Sequence, residues 1–214
     1  MRIPLSNRLK KRLHTEIALL QDEVIDIVYS IEEKAVLHGG TALWRCYSGN
    51  RFSEDLDFYL NAGEKFEKEF RKKLESRGLQ LKKYKKTGNA VYSKISNGTT
   101  EVRFEAALRK PKEAEAREYE RADGSFSTVF TLPPEKLLEE KMNAYKNRKL
   151  IRDLYDVFML STVCSENKEL NKKAKEFLEK LPEPADEKNL KTIVFSGAIP
   201  SSEQMVNAIK RRFK

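Results

Sequence analysis

A short apolar run, Ala35-Val36-Leu37-His38, stops at Gly39-Gly40-Thr41, and Asp55-Leu56-Asp57-Phe58 follows soon after. This order constrains the fold more than any other part of the chain. A strand ending at two glycines lets backbone N–H groups approach an anion with no Cβ in the way, and the next helix points its positive dipole end there. Residues i and i+2 of a strand share a face. Asp55 and Asp57 therefore present two carboxylates on one side while Leu56 and Phe58 enter a core. Such a carboxylate pair suits a hard cation. Glycine pairs also form ordinary tight turns, and acidic pairs also decorate exposed strands. The joint order of strand, Gly-Gly, helix and Asp-x-Asp points instead to a nucleoside triphosphate held at the turn with Mg²⁺ beside it.

The flanking segments supply an α+β frame. Leu9, Leu13, Ile17, Leu20, Val24, Ile27 and Val28 recur at three- and four-residue steps, which predicts one amphipathic helix over 6–30, packed on a sheet. Patterning predicts strands at 35–38 and 56–60 and helices at 41–47 and 65–77, the latter ended by Gly78. Further strands are expected at 79–84, 90–95, 101–108 and 127–131, with Asn97-Gly98 as a hairpin turn. Beyond Pro133-Pro134 the pattern becomes helical, with helices expected at 135–145, 151–163 and 168–181. A last helix begins where Ser201 and Gln204 stand at capping-box spacing. The expected division is a mixed-sheet domain with an N-terminal helix over 1–132 and a helical domain over 133–214.

A chain of 214 residues with 39% hydrophobic content can build a real core. Its 42 basic against 33 acidic residues leave a formal charge of +9, which favours a polyanionic partner. The basic residues cluster. Arg2, Arg8, Lys10, Lys11 and Arg12 precede the first acid, a run from Lys68 to Lys86 holds Arg71, Lys82, Lys83, Lys85 and Lys86, and Lys210, Arg211, Arg212 and Lys214 close the chain. One such cluster is ordinarily a solvated face; three together lean toward RNA or DNA. Cys46 and Cys164 have neither disulfide nor zinc spacing, which suits a reducing cytoplasm. No apolar run is long enough for a bilayer and no signal-peptide core is present, so a soluble intracellular protein is expected.

Two further groups of residues complete the candidate site. Two metal ions need a third carboxylate, and Glu105 is the choice, because Phe104 and Ala106 take the buried side of its strand and turn Glu105 outward with Arg103. Glu101 is the fallback, and a surface pair of Glu105 with Arg103 is the plainer alternative. Lys141, Arg148, Arg152 and Asp156 would share one face of a continuous helix. A break within 146–149 would leave Arg152 and Asp156 together at i, i+4. The group reads either as a salt-bridge ladder or as a cationic wall facing a triphosphate, fixed by an aspartate. His38 reads as a structural histidine, and Trp44, Tyr47 and Phe52 as core.

The blocks Leu37-His38-Gly39-Gly40-Thr41-Ala42-Leu43 with Arg51-Phe52-Ser53-Glu54-Asp55-Leu56-Asp57-Phe58, and Lys141-x-x-Ala144 with Arg148 and Arg152-Asp153-x-x-Asp156, resemble the AbiEii family of nucleotidyltransferase toxins. That family lies within the DNA polymerase β-like nucleotidyltransferase superfamily. The resemblance spans about residues 10–162. It implies an α/β nucleotidyltransferase fold with a mixed sheet, a helical C-terminal part, and an active site between them. It also implies Asp55 and Asp57 as Mg²⁺ ligands and Gly39, Gly40, Thr41 and Ser53 near the triphosphate, with Lys141 and Asp156 completing the catalytic set; Arg51 is a further nucleotide-binding candidate. The expected reaction moves a nucleoside monophosphate from an NTP to an acceptor hydroxyl, RNA such as a tRNA 3′ end, with Mn²⁺ as a possible substitute metal. A cognate antitoxin is implied by the resemblance alone. Transfer to a small molecule or a protein, and a catalytically silent RNA-binding module, are the alternatives.

Overall fold

The N-terminal apolar spacing is realised as two helices, α1 (Leu5–Arg8) and α2 (Arg12–Tyr29), in a computed structural model that describes residues 3–60, 63–109, 111, 113–165 and 167–214. The expected single helix is broken because Leu9 and Lys11 are extended. Tertiary contacts outweigh the periodicity here: Leu5 is buried and the Ser6 N–H donates to the Ala122 carbonyl at 2.9 Å. Arg2 of the N-terminal basic cluster and Glu166, where the unmatched tail begins, lie outside the described residues.

The chain divides into two units, Met1–Cys46 with Phe52–Leu132, and Tyr47–Arg51 with Pro133–Lys214. In the first, the elements after α2 are β1 (Val36–His38), α3 (Gly39–Cys46), β2 (Asp55–Tyr59), α4 (Glu64–Ser76), β3 (Gln80–Lys86), β4 (Ala90–Ser96), β5 (Glu101–Ala107), β6 (Glu115–Glu120) and β7 (Phe126–Thr131). Among the described residues seven strands form one sheet, ordered β3-β4-β5-β2-β1-β7-β6. The sheet is mixed: β1 pairs antiparallel with β2 and parallel with β7, and β2 pairs parallel with β5. Strand β6 was not expected. Its residues, Glu-Ala-Arg-Glu-Tyr-Glu, favour solvent over a core, and it survives as an edge strand paired only to β7 with Tyr119 and Glu120 buried.

The two faces of the sheet differ. Rings of Tyr29 on α2 and Phe70 on α4 meet Phe58 and Phe104, so these helices cover the face that carries Leu56, Phe58, Phe104 and Val91. Asp55, Asp57, Arg103 and Glu105 alternate onto the other face. A buried polar link ties α2, α3 and β6 together. Arg45 Nη2 donates to Asp22 Oδ1 at 3.0 Å and its Nη1 to the Glu120 carbonyl at 2.9 Å, while the Tyr119 hydroxyl donates to Asp22 Oδ1 at 3.0 Å. Burial raises the Asp22 carboxyl above its ordinary value, against the pull of Arg45.

The second unit contains α5 (Pro134–Arg148), α6 (Ile151–Val163), α7 (Lys168–Glu179), α8 (Leu190–Ile193) and α9 (Ser202–Arg212). The α5 helix ends at Lys149, whose φ of 55° is left-handed, so the helical face is interrupted. Side chains distant in sequence satisfy the ends of α6. Asp186 Oδ1 accepts from the Ile151 N–H at 2.6 Å, and Arg212 donates to the Ser161 and Cys164 carbonyls at 3.1 and 2.8 Å. The capping box of Ser201 and Gln204 is present. Residues 47–51 join this unit because Arg51 bridges Val194 and the Phe195 N–H donates to the Asn50 carbonyl at 3.0 Å. Among the described residues no helix is long and apolar enough to cross a membrane. Cys46 and Cys164 are unbridged thiols.

Candidate active site

The glycine turn and the Asp-x-Asp strand are in direct contact. Gly39, at φ +72°, is the first residue of α3, and a Cβ built on it would stand 2.1 Å from Asp57 Oδ2 and 2.9 Å from Asp57 Cγ. Glycine is required twice, for the left-handed backbone and for the approach of the carboxylate. The buried Thr41 hydroxyl donates to the Asp55 backbone carbonyl at 2.5 Å, which ties the turn to the head of β2. Ser53 is buried just before β2, its carbonyl accepting from Gln21 Nε2 at 2.9 Å. His38 lies opposite Asp57 in the β1–β2 register and stacks on Tyr59 with centroids 4.0 Å apart, a structural placement as expected. Trp44 and Phe52 are core residues.

The parallel register of β2 and β5 decides which charges meet. Asp57 is opposite Glu105 and Asp55 is opposite Arg103. Arg103 Nε lies 2.7 Å from Asp55 Oδ1 as an ion contact, yet that buried oxygen accepts no hydrogen bond among the described residues. The fallback ligand Glu101 is engaged instead by Lys82 at 2.9 Å and Lys94 at 3.2 Å, which hold its carboxyl below the ordinary value.

In the second unit, Asp156 is the centre of a buried network. Arg51 grips it with both branches, Nε to Oδ1 at 2.5 Å and Nη2 to Oδ2 at 2.6 Å, and Lys141 Nζ reaches Oδ2 at 2.8 Å. Burial would raise the Asp156 carboxyl, but the Arg51 and Lys141 cations outweigh it and hold the group below its ordinary value. Arg148 pairs with Asp153 at 2.7 Å, and Lys141 stands 3.9 Å from the same carboxylate. The salt-bridge ladder is therefore present, but Arg51, from the segment before β2, takes the place at Asp156 that helical spacing offers to Arg152. No pattern in the sequence signals that pairing. A cavity of about 690 Å³ in this unit is lined by residues such as Asp186, Glu187, Leu190 and Ser201, and includes none of the site residues expected from sequence.

Gly39→Ala tests the contact at the turn. A left-handed alanine and the displaced Asp57 carboxylate should together lower stability by roughly 1–3 kcal/mol. Chemical denaturation measures that loss, and it should shrink in an Asp57→Ala background, where the clashing oxygens are gone.

A glycine turn pressed against an Asp-x-Asp strand on a mixed sheet, followed in sequence by helices, defines the chain as a nucleotidyltransferase. The family model described as nucleotidyl transferase AbiEii toxin of a type IV toxin–antitoxin system matches residues 29–213, and the chain belongs to that family. Solved structures that share its fold include the following two. JHP933 from Helicobacter pylori is 22% identical, with a TM-score of 0.66 over 92% of this chain and 90% of that one. MenT4, a nucleotidyltransferase toxin from Mycobacterium tuberculosis, is 17% identical, with a TM-score of 0.60 over 92% of this chain and 82% of that one. No curated protein is significantly similar in sequence.

Nucleotidyltransferases of this family use an NTP and a divalent metal ion. The donor chemistry here suits such an ion: Asp55, Asp57 and Glu105 offer hard carboxylate oxygens at neighbouring register positions, and among the described residues the buried Asp55 Oδ1 accepts no hydrogen bond beside its ion contact with Arg103. Among the described residues no three His, Cys, Asp or Glu side chains are gathered closely enough to hold an ion together. The strands bring the carboxylates side by side without converging them.

Proposed function

We propose that this nucleotidyltransferase moves a nucleoside monophosphate from an NTP to a hydroxyl of RNA, such as a tRNA 3′ end, as the toxin of a pair with a cognate antitoxin in the cytoplasm. The contact of Gly39 with the Asp57 carboxylate carries this reading, because it sets a phosphate-accepting turn against metal-binding oxygens. Asp55, Asp57 and Glu105 are the groups that would hold Mg²⁺, or Mn²⁺ in its place, once drawn together around it. The ion, when bound, supplies the positive charge that lowers the acceptor hydroxyl's pKa and stabilises the pyrophosphate leaving group.

The protein's own groups do the positioning. Backbone N–H groups at Gly39, Gly40 and Thr41, at the positive end of α3, receive phosphate oxygens, with Ser53 contributing nearby. Lys141, Arg148 and Arg152 supply cationic charge for the triphosphate. Asp156 and Arg51 act through Lys141, fixing its ammonium. The acceptor oxygen forms a bond to the α-phosphorus as the bond to the pyrophosphate oxygen breaks with its electron pair leaving on the pyrophosphate, and the hydroxyl proton passes to water. Incubation with Mg²⁺, each of the four α-labelled NTPs and total tRNA should label RNA with at least one nucleotide. Label appearing only on protein or on a small molecule would overturn the RNA acceptor, and no label on any acceptor would overturn transfer.

A further inference from the structure

We infer that the open face of β3, β4 and β5 is a track for single-stranded RNA that leads the acceptor end toward Asp57 and Glu105. The direction of travel rests on the nucleotidyl-transfer reading; the surface itself stands on geometry. Two cross-strand rows run over this face. Lys85, Tyr92, Glu105 and Asp57 are successive register partners, as are Lys83, Lys94, Arg103 and Asp55. Each row covers three strand spacings, about 14 Å, from the sheet edge to the carboxylates.

The chemistry along the rows suits one class of partner. Tyr92 is 45% exposed, a large ring left in solvent between Lys85 and Glu105. Lys83 and Lys85 are exposed and form no ion pair among the described residues, while Lys82 and Lys94 are both drawn to Glu101. The register shift between Leu81 and Lys83 inserts one extra lysine at this edge. Cations beside an exposed aromatic ring track a phosphate backbone and stack its bases, which is how single strands are held without reading sequence. Some cations of the other clusters are already engaged. Arg8 pairs with Glu120 and Arg12 with Glu16, and Arg212 caps α6.

Lysines on an edge strand also deter pairing with another chain. A charge reversal separates the two roles, since glutamates protect an edge equally well but repel a polyanion. The experiment measures anisotropy of a labelled single-stranded RNA oligonucleotide against salt, with the full chain. Lys83→Glu/Lys85→Glu should keep the oligomeric state of the wild type, bind RNA at least about tenfold more weakly, and flatten the log K against log salt slope by about 1.4 or more, about 0.7 for each phosphate contact removed. Tyr92→Ala should weaken binding about tenfold, and Tyr92→Phe should restore it. Wild-type affinity in the lysine and Tyr92→Ala variants would overturn the track even if RNA labelling proceeds. RNA binding that depends on these residues without labelling by any NTP would instead sustain the track and overturn the transfer reading. Tighter binding of a DNA oligonucleotide of the same sequence would overturn RNA as the occupant.

Discussion

Asp57→Ala should lower nucleotidyl transfer by at least about a thousandfold, since in the proposed site several kcal/mol of charge stabilisation at the transferring phosphate would depend on its carboxylate. The chain should remain folded. Asp57 sits on the half-exposed side of β2, and the neighbours that anchor the strand, Leu56 and Phe58, are fully buried on the other side. Alanine there removes no core volume and is no worse a strand former than aspartate. Initial rates of label transfer from α-labelled NTP, beside a urea denaturation curve, separate the two quantities. A variant that retains transfer within tenfold of wild type would remove Asp57 from the metal site, and a variant that fails to fold would give it a structural role instead.

Asp156→Ala should cost a large share of the stability of the second unit. Removing the carboxylate takes the nearest counter-charge from the buried Arg51 guanidinium and leaves the Lys141 ammonium the more distant Asp153 at 3.9 Å, a loss of about 3–5 kcal/mol. Replacing Arg51 with methionine in the same background should recover part of it, because one uncompensated buried charge is then gone. The pH dependence has a definite sign. A carboxyl held below its ordinary value in the folded chain contributes stability that is full above about pH 4, the unfolded value, and is lost as pH falls through the lower folded value. The Asp22 carboxyl is shifted the other way, so the difference between wild type and Asp156→Ala, not the wild-type curve alone, isolates this contribution. The destabilisation caused by Asp156→Ala should therefore shrink as pH is lowered below about 4. A gap that stays constant down to pH 2 would show that the carboxylate's charge is not what holds the network.

Much of the first unit was legible because local patterning and burial agree. Alternation in Val102, Phe104 and Ala106 sets the strand and turns Glu105 outward, and the Asn97-Gly98 turn forces its pairing with β4. The chain also announced the interruption near Lys149, though not that a left-handed lysine would make it. Elements that depend on distant partners were silent. Strand β6 exists because β7 offers an edge, α1 because Leu5 finds a core, and α8 lies in a stretch with no apolar period of its own.

By itself, the sequence determined that a glycine turn precedes an Asp-x-Asp strand, that the two aspartates share a face, and that Glu105 faces outward on its own strand. Those properties follow from backbone geometry at short range. Only the tertiary structure decided that Asp57 would lie opposite Glu105 while Asp55 meets Arg103, that Gly39 would touch the Asp57 carboxylate, and that Arg51 would clasp Asp156. Register between strands distant in sequence, and ion pairs across a hundred residues of chain, are chosen by the packing of whole elements, for which no local spacing rule exists.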